Sequence, residues 1–159
     1  MSYRIGQGID FHQLAEGREF WLGGIMIPHE KGAVGHSDAD VLLHAICDAL
    51  LGALGLGDIG MHFPDTDASY KNIDSKVILK RCYNLVREKG YGLVNIDSTI
   101  LLQAPKIRPH VEAMKLAIAR TLHISPDIIS IKATTTEQLS FVGREEGVVA
   151  TANVLLQKY

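Results

Sequence analysis

The chain predicts an α+β domain: one sheet of about four main strands with helices on one face, plus a small β hairpin. Three observations lead there. Segments with the two-residue alternation of strands are interleaved with segments of helical periodicity. After two long helical stretches, the order closes as strand, helix, strand, strand. Hydrophobic residues make up 47% and charged residues 21% of the 159 residues, near the averages of globular proteins, and a chain of this length buries roughly 68–70% of its unfolded surface.

The elements follow in order. GQGIDFHQL, from Gly6, alternates apolar Ile9 and Phe11 with Asp10 and His12, which is the period of a strand with one apolar and one chemical face. EFWLGGIMIPHEKG reads as two short strands turned at Gly23-Gly24. In HSDADVLLHAICDALLGALGLGD the apolar residues Val41, Leu42, Ala45, Ile46, Ala49, Leu50 and Ala53 recur at helical spacing. They predict a helix over about 38–54, with Ser37 and Asp40 as a capping box and glycines at its end. IGMHFPDTDASYKNID has no period and many turn formers, and a loop of that length in a compact domain points to function or mobility. SKVILKRCYNLVREKG is an amphipathic helix closing on Gly90, and YGLVNIDSTILLQA is a strand stopped by Pro105. IRPHVEAMKLAIARTLHIS is a third helix with Pro109 near its start, and ISIKATTT and GVVATANVLLQ are closing strands. No repeat, low-complexity run or linker divides the chain, so residues 1–159 read as one domain. Apolar strand positions on the face away from the helices predict cover by a second copy of the chain.

Some functions are excluded at this level. A formal net charge of −2 argues against a general nucleic-acid binder, which needs a basic surface to neutralise phosphates. No window approaches about 18 consecutive apolar residues, and the N-terminus lacks a basic stretch followed by an apolar run, so the expectation is a cytoplasmic protein without membrane attachment. Cys47 and Cys82 lie in apolar-periodic segments without a CxxC spacing, which predicts buried, reduced thiols.

The chemistry-bearing residues cluster in a few motifs. Asp10 and His12 share a strand face, the glycines at 6 and 8 clear that face for a ligand or another backbone, and His44 lies in the first helix. A carboxylate and two imidazoles make a three-ligand set with an open position, the arrangement of catalytic zinc. Asp40, His44 and Asp48 follow at helical intervals on one stripe. Asp48 is the expected hydrogen-bond partner for the free nitrogen of His44, although a solvated helix face would look the same. Asp58 to Gly60 and Phe63 to Asp67 place carboxylates in a Gly-containing loop, suited to Asx turns or to anion approach. Lys106 and Arg108 stand between prolines at a strand-to-helix junction, as a phosphate site or an ordinary basic loop. Thr134 to Glu137 reads equally as a capping box or as ligands for a hard cation, and GREEG as a charged hairpin turn.

Taken in order, GQGIDFH, HSDADVLLHAICDALLGALGLGDIG, FPDTD, QAPK, and KATTTE followed by GREEG resemble the 2-C-methyl-D-erythritol 2,4-cyclodiphosphate synthase family of the non-mevalonate isoprenoid pathway. The resemblance runs from about residue 4 to the last strand, and the ordered set is far more specific than any one motif. It implies a homotrimer of ferredoxin-like α/β subunits with active sites between neighbours. The implied substrate is 4-diphosphocytidyl-2-C-methyl-D-erythritol 2-phosphate, cyclised with loss of CMP. By the resemblance, Asp10, His12 and His44 hold Zn²⁺, and Glu137 is the acidic ligand of a Mg²⁺ or Mn²⁺ bridging the diphosphate. His36 and Ser37 hold substrate phosphate, and Thr135 polarises the reacting phosphate. Asp58, Ile59 and Gly60, with Phe63, Pro64, Asp65, Thr66 and Asp67, line the methylerythritol side. Leu102, Gln103, Ala104, Pro105, Lys106 and Thr134 form a cytidine pocket on the adjacent subunit, and Phe141 and Arg144 match pocket positions. Arg144 with Glu146 resembles the charged ring of a central trimer cavity that takes isoprenoid diphosphates.

Two positions depart from the pattern: Ser140 stands where the family usually has Gly, and Val142 where it has Thr. Both bear on the nucleotide turn, and neither is a metal ligand. The same residues would also serve a zinc phosphohydrolase giving linear products, or a non-catalytic sensor working through the central cavity.

Overall fold

The computed structural model describes residues 1–159. A five-stranded sheet of order β4-β1-β7-β5-β6 is built from β1 (Tyr3–Glu16), β4 (Lys31–Val34), β5 (Tyr91–Leu101), β6 (Ile129–Thr134) and β7 (Gly147–Lys158). Only β5 and β6 pair in parallel. β2 (Phe20–Leu22) and β3 (Ile25–Ile27) form the separate hairpin expected at Gly23-Gly24. The helices α1 (Val41–Ala53), α3 (Ser75–Glu88) and α4 (Val111–Leu122) cover one face, and the short α2 (Ile59–His62) and α5 (Ser140–Gly143) punctuate loops. The α+β architecture is as the sequence predicts. β4, a fifth strand added at the sheet edge, was not legible because four residues carry too little period.

Register explains the two faces. His12 pairs with Val148 and Asp10 with Ala150, so the even-numbered residues of β1 and β7 share the helix-covered face. Val148, Ala150, Ala152, Val154 and Leu156 are buried there beneath α1. On the opposite face Ile5, Ile9 and Phe11 are 80%, 46% and 54% exposed, an apolar strip that the single chain leaves largely open. Cys47 and Cys82 are buried and free, as expected.

The close seating of α1 rests on two glycines. A Cβ on Gly6 would overlap the Ala49 carbonyl oxygen, and one on Gly8 the Ala45 carbonyl oxygen. Of the two uses foreseen for that cleared face, the close approach is by another backbone, the helix that carries His44.

Several boundaries differ from the sequence expectation. α1 starts at Val41, because Asp40 is itself the N-cap and accepts from the Leu43 N–H at 3.1 Å. Ser37 is no capping-box member, since its Oγ accepts the Ala39 N–H. Asp40 is fully buried and also accepts the N–H groups of Gly23 at 2.9 Å and Gly24 at 2.7 Å, tying the hairpin to the helix. The loop after α1 is partly ordered by its own aspartates, with Asp58 capping α2 and Asp67 capping a 3₁₀ turn at Ala68–Tyr70. A second 3₁₀ turn, Arg108–His110, delays α4 to Val111. GREEG is no hairpin turn: it follows α5 and leads into β7, which lies beside β1 and β5 rather than β6.

Gly8→Ala should lower unfolding stability by about 1–3 kcal/mol, through forced separation of α1 from β1, and should weaken divalent-metal binding in parallel. Denaturant titration and metal titration of the same sample test this, and an unchanged midpoint would contradict it.

Candidate metal centre

Asp10 and His12 project from β1 toward α1, and His44 meets them one turn into that helix. His12 Nε2 lies 2.9 Å from Asp10 Oδ2, His44 Nδ1 lies 3.2 Å from the same oxygen, and the two ring nitrogens are 3.3 Å apart. A tetrahedral ion with bonds of about 2.0 Å has ligand-to-ligand edges of about 3.3 Å, so these donors already stand at coordination spacing. They form the chain's cluster fit to hold a metal ion.

The rings present lone pairs to that point for separate reasons. His12 Nδ1 lies 2.9 Å from the Val34 carbonyl oxygen, which can only accept, so Nδ1 carries the proton and Nε2 is free to bind. His44 faces the cluster with Nδ1, while its Nε2 is directed at Ser75 Oγ at 2.8 Å and Ser37 Oγ at 3.2 Å. Without a metal, burial tends to raise the Asp10 pKa, but the adjoining imidazoles, His12 foremost, outweigh it and hold the carboxyl at about 2. Burial tends to lower the pKa of His12, and the Asp10 carboxylate overrides that and raises it.

Asp48 does not partner His44. Its carboxylate accepts the Ile59 N–H at 2.9 Å, holding the start of α2, and its pKa is raised chiefly by burial. Shared stripe position did not decide the contact, because α2 folds back and presents a donor first. The residue that does occupy His44 Nε2 is Ser75, the first residue of α3, with no spacing in the sequence linking it to residue 44.

The cleft above the cluster, about 450 Å³, takes in His36, Ser37, Ile59, Gly60, Phe63, Pro64 and Asp65 among the expected residues, and adds Tyr70 and Ile78. Asp58 and Asp67 are engaged as caps and Thr66 is exposed, so these three stand outside its lining. A separate depression of about 190 Å³ is lined by Leu102, Gln103, Pro105, Lys106, Thr134 and Thr135, without Ala104. Thr134 to Glu137 form no capping box. Thr135 Oγ1 accepts the Glu137 N–H and Thr136 Oγ1 donates to the Leu139 carbonyl, leaving the Glu137 side chain exposed. Phe141 lies against Phe11 with ring centroids 6.1 Å apart, and Arg144 pairs with Glu146 at 2.8 Å on the surface.

The two depressions are separated within one chain. Asp10 pairs with Ala150, Ala150 with Ile100 and Ile100 with Ala133, a row across three strand spacings, or about 14 Å.

Comparison with known proteins bears on the same residues. The YgbB family matches residues 3–157. A protein of Bacillus mycoides (strain KBAB4) named 2-C-methyl-D-erythritol 2,4-cyclodiphosphate synthase is 59% identical over 156 residues, 98% of this chain and 99% of that protein. Among solved structures, the bifunctional IspDF from Campylobacter jejuni superposes with a TM-score of 0.96 at 44% identity, covering 99% of this chain and 43% of that one. The CDP-bound form of a 2C-methyl-D-erythritol-2,4-cyclodiphosphate synthase superposes with a TM-score of 0.89 at 41% identity, covering 97% of this chain and 100% of that one.

Binding of a dication must expel the proton that Asp10 favours on His12. The Zn²⁺ affinity should therefore fall about tenfold per pH unit below the raised pKa of His12, measured by competition with a chelator. A flat affinity from pH 8 to pH 5 would contradict the ligand set.

Proposed function

This chain belongs to the YgbB family, and from that premise we infer that it is an enzyme that converts 4-diphosphocytidyl-2-C-methyl-D-erythritol 2-phosphate to 2-C-methyl-D-erythritol 2,4-cyclodiphosphate and CMP, in isoprenoid biosynthesis. The observation that carries this reading is the convergence of Asp10, His12 and His44 at the floor of a cleft walled by His36, Ser37 and the Ile59–Asp65 segment.

The reaction asks little covalent chemistry of the protein. An oxygen of the substrate's 2-phosphate forms a bond to the β-phosphorus. The bond from that phosphorus to the oxygen bridging to the α-phosphorus breaks, and CMP leaves with the electron pair. Nucleophile and electrophile belong to one molecule, so no Ser, Cys or His nucleophile and no water are consumed, and the rate comes from positioning and charge neutralisation. Asp10, His12 and His44 would hold Zn²⁺, which would supply positive charge to offset that of the diphosphate. His36 and Ser37 hold substrate phosphate at the cleft wall, and the Thr135 hydroxyl polarises the reacting phosphate. Glu137 would be the acidic ligand of a Mg²⁺ or Mn²⁺, which would supply further positive charge against that of the diphosphate.

A second copy of the chain is needed to complete the site. About 14 Å separates the metal cluster from the Thr134 region within one subunit, a gap that a single diphosphate does not span. A homotrimer with sites between subunits sets the 102–106 and 134–137 segments of one copy, as cytidine and cation half-site, against the metal cleft of the next. The exposed Ile5, Ile9 and Phe11 are the apolar surface such an assembly covers. Phe11 and Phe141, beside the Arg144–Glu146 pair, fit the wall of a central cavity for an isoprenoid diphosphate. No helix is long and apolar enough to cross a membrane. Residues 1–159 act as a single catalytic domain, and the cytoplasm is the setting that goes with a small nucleotide substrate.

Phosphorus NMR of the product from the purified protein should show a cyclic diphosphate with one equivalent of CMP; linear phosphates would instead identify a hydrolase. His44→Ala should lose stoichiometric zinc and at least about 10³-fold of CMP release while sedimenting as the same oligomer, since an ion-dependent barrier loses several kcal/mol. Undiminished turnover would remove the site assignment.

A further inference from the structure

We propose that Ser75 and Asp38 are positioning residues that set which nitrogen of His44 carries its proton, so that Nδ1 stands bare at the metal point before an ion arrives. The proposal rests on the metal assignment and not on the identity of the substrate.

Asp38 receives three donors: the Ser75 N–H at 2.9 Å on Oδ2, the Asp40 N–H at 3.1 Å on Oδ1, and the Ser75 hydroxyl on Oδ1. Each of these contacts sets a donor against an Asp38 oxygen, so Asp38 is the acceptor in all three. The Ser75 hydroxyl owns one hydrogen, and it goes to Asp38. Toward His44 Nε2, 2.8 Å away, Ser75 Oγ can then only accept, so this shorter contact favours the proton on Nε2 over Nδ1, whose own acceptor, Asp10 Oδ2, stands at 3.2 Å. Ser37 Oγ, which accepts the Ala39 N–H, lies farther from Nε2, at 3.2 Å, and is the weaker partner. The lone pair of His44 is left on Nδ1, facing Asp10 Oδ2 at 3.2 Å and His12 Nε2 at 3.3 Å.

Burial makes the arrangement decisive. Ser75 has no exposed surface, so bulk water does not take over its part if the hydroxyl is removed. The acid that aims Ser75 comes from the segment between β4 and α1, which also carries Ser37, while Ser75 opens α3. The backbone joins these two segments as well, through Asp38 N–H to the Ile73 carbonyl at 3.2 Å. A carboxylate–hydroxyl–imidazole relay thus does for His44 what the Val34 carbonyl does for His12, and both rings offer their free nitrogen to one point. Outer hydrogen-bond partners of metal-binding histidines are worth 10–100-fold in metal affinity, so the relay is large enough to matter.

The test uses the metal-free full-length protein at pH 8 and long-range ¹⁵N–¹H correlation of the histidine rings. Wild type should show His44 with Nε2 protonated and Nδ1 bare. Ser75→Ala should show a mixture of tautomers and bind Zn²⁺ about 10–100-fold more weakly in chelator competition, with an unchanged circular dichroism spectrum. Ser75→Thr, which keeps a hydroxyl, should restore the wild-type ring pattern and most of the affinity. A wild-type ring pattern in Ser75→Ala would overturn the proposal whatever its zinc affinity, because a loss of affinity would then come from packing alone. Failure of the wild-type protein to release CMP would overturn the reaction and leave this result standing, since neither readout involves turnover.

Discussion

The close contact between β1 and α1 is the constraint on which the rest depends. Zinc-like coordination requires three donor atoms within a few ångströms, and here two come from a strand and one from a helix laid across it. A helix with ordinary residues beneath it would ride higher, and His44 would hang above Asp10 and His12 without touching them. Gly6 and Gly8 remove the side chains that would hold it off, at the step where the Ala45 and Ala49 carbonyls descend onto the strand. The buried Asp40 carboxylate then fixes where the helix begins by capping it and gripping the turn of the β2–β3 hairpin. Local backbone geometry thus becomes a distance between ligands.

Electrostatics within the cluster follow from that crowding. A carboxylate mostly withdrawn from water is unfavourable alone, and two imidazoles at hydrogen-bond distance reverse the balance and keep it ionised. In the absence of an ion the same arrangement favours a proton on His12, so proton and metal compete for one place. Both rings are aimed by groups on their far side, a backbone carbonyl for His12 and a buried serine for His44. Those partners lie on two further elements, β4 and α3, so the metal point is defined by the tertiary fold rather than by any one segment.

The division of the expected residues between two depressions has a topological origin. β1 lies near one edge of the sheet and β6 at the other, with β7 and β5 between them, so motifs that follow one another in a line along the chain open on separate places. The uncovered apolar strip on β1 belongs to the same logic, because a sheet with helices on one face leaves the other to find cover elsewhere.

Much of this was legible in the residues themselves. Period identified the long strands and the three long helices, and the D-x-H spacing on a strand face with a histidine in the next helix identified the ligand set, because side-chain direction in a regular element follows from position alone. The order of short motifs carried the family. What the sequence could not state was which side chain would reach which atom across elements. Asp48 shares a stripe with His44 and yet takes the Ile59 N–H, Ser75 stands 31 residues away and fills the place beside His44, and Glu137 ends exposed at the far side of the sheet. Spacing along a chain encodes direction within one element, whereas hydrogen bonds between elements depend on how closely those elements approach, and only the folded arrangement of strand, helix and loop decides that distance.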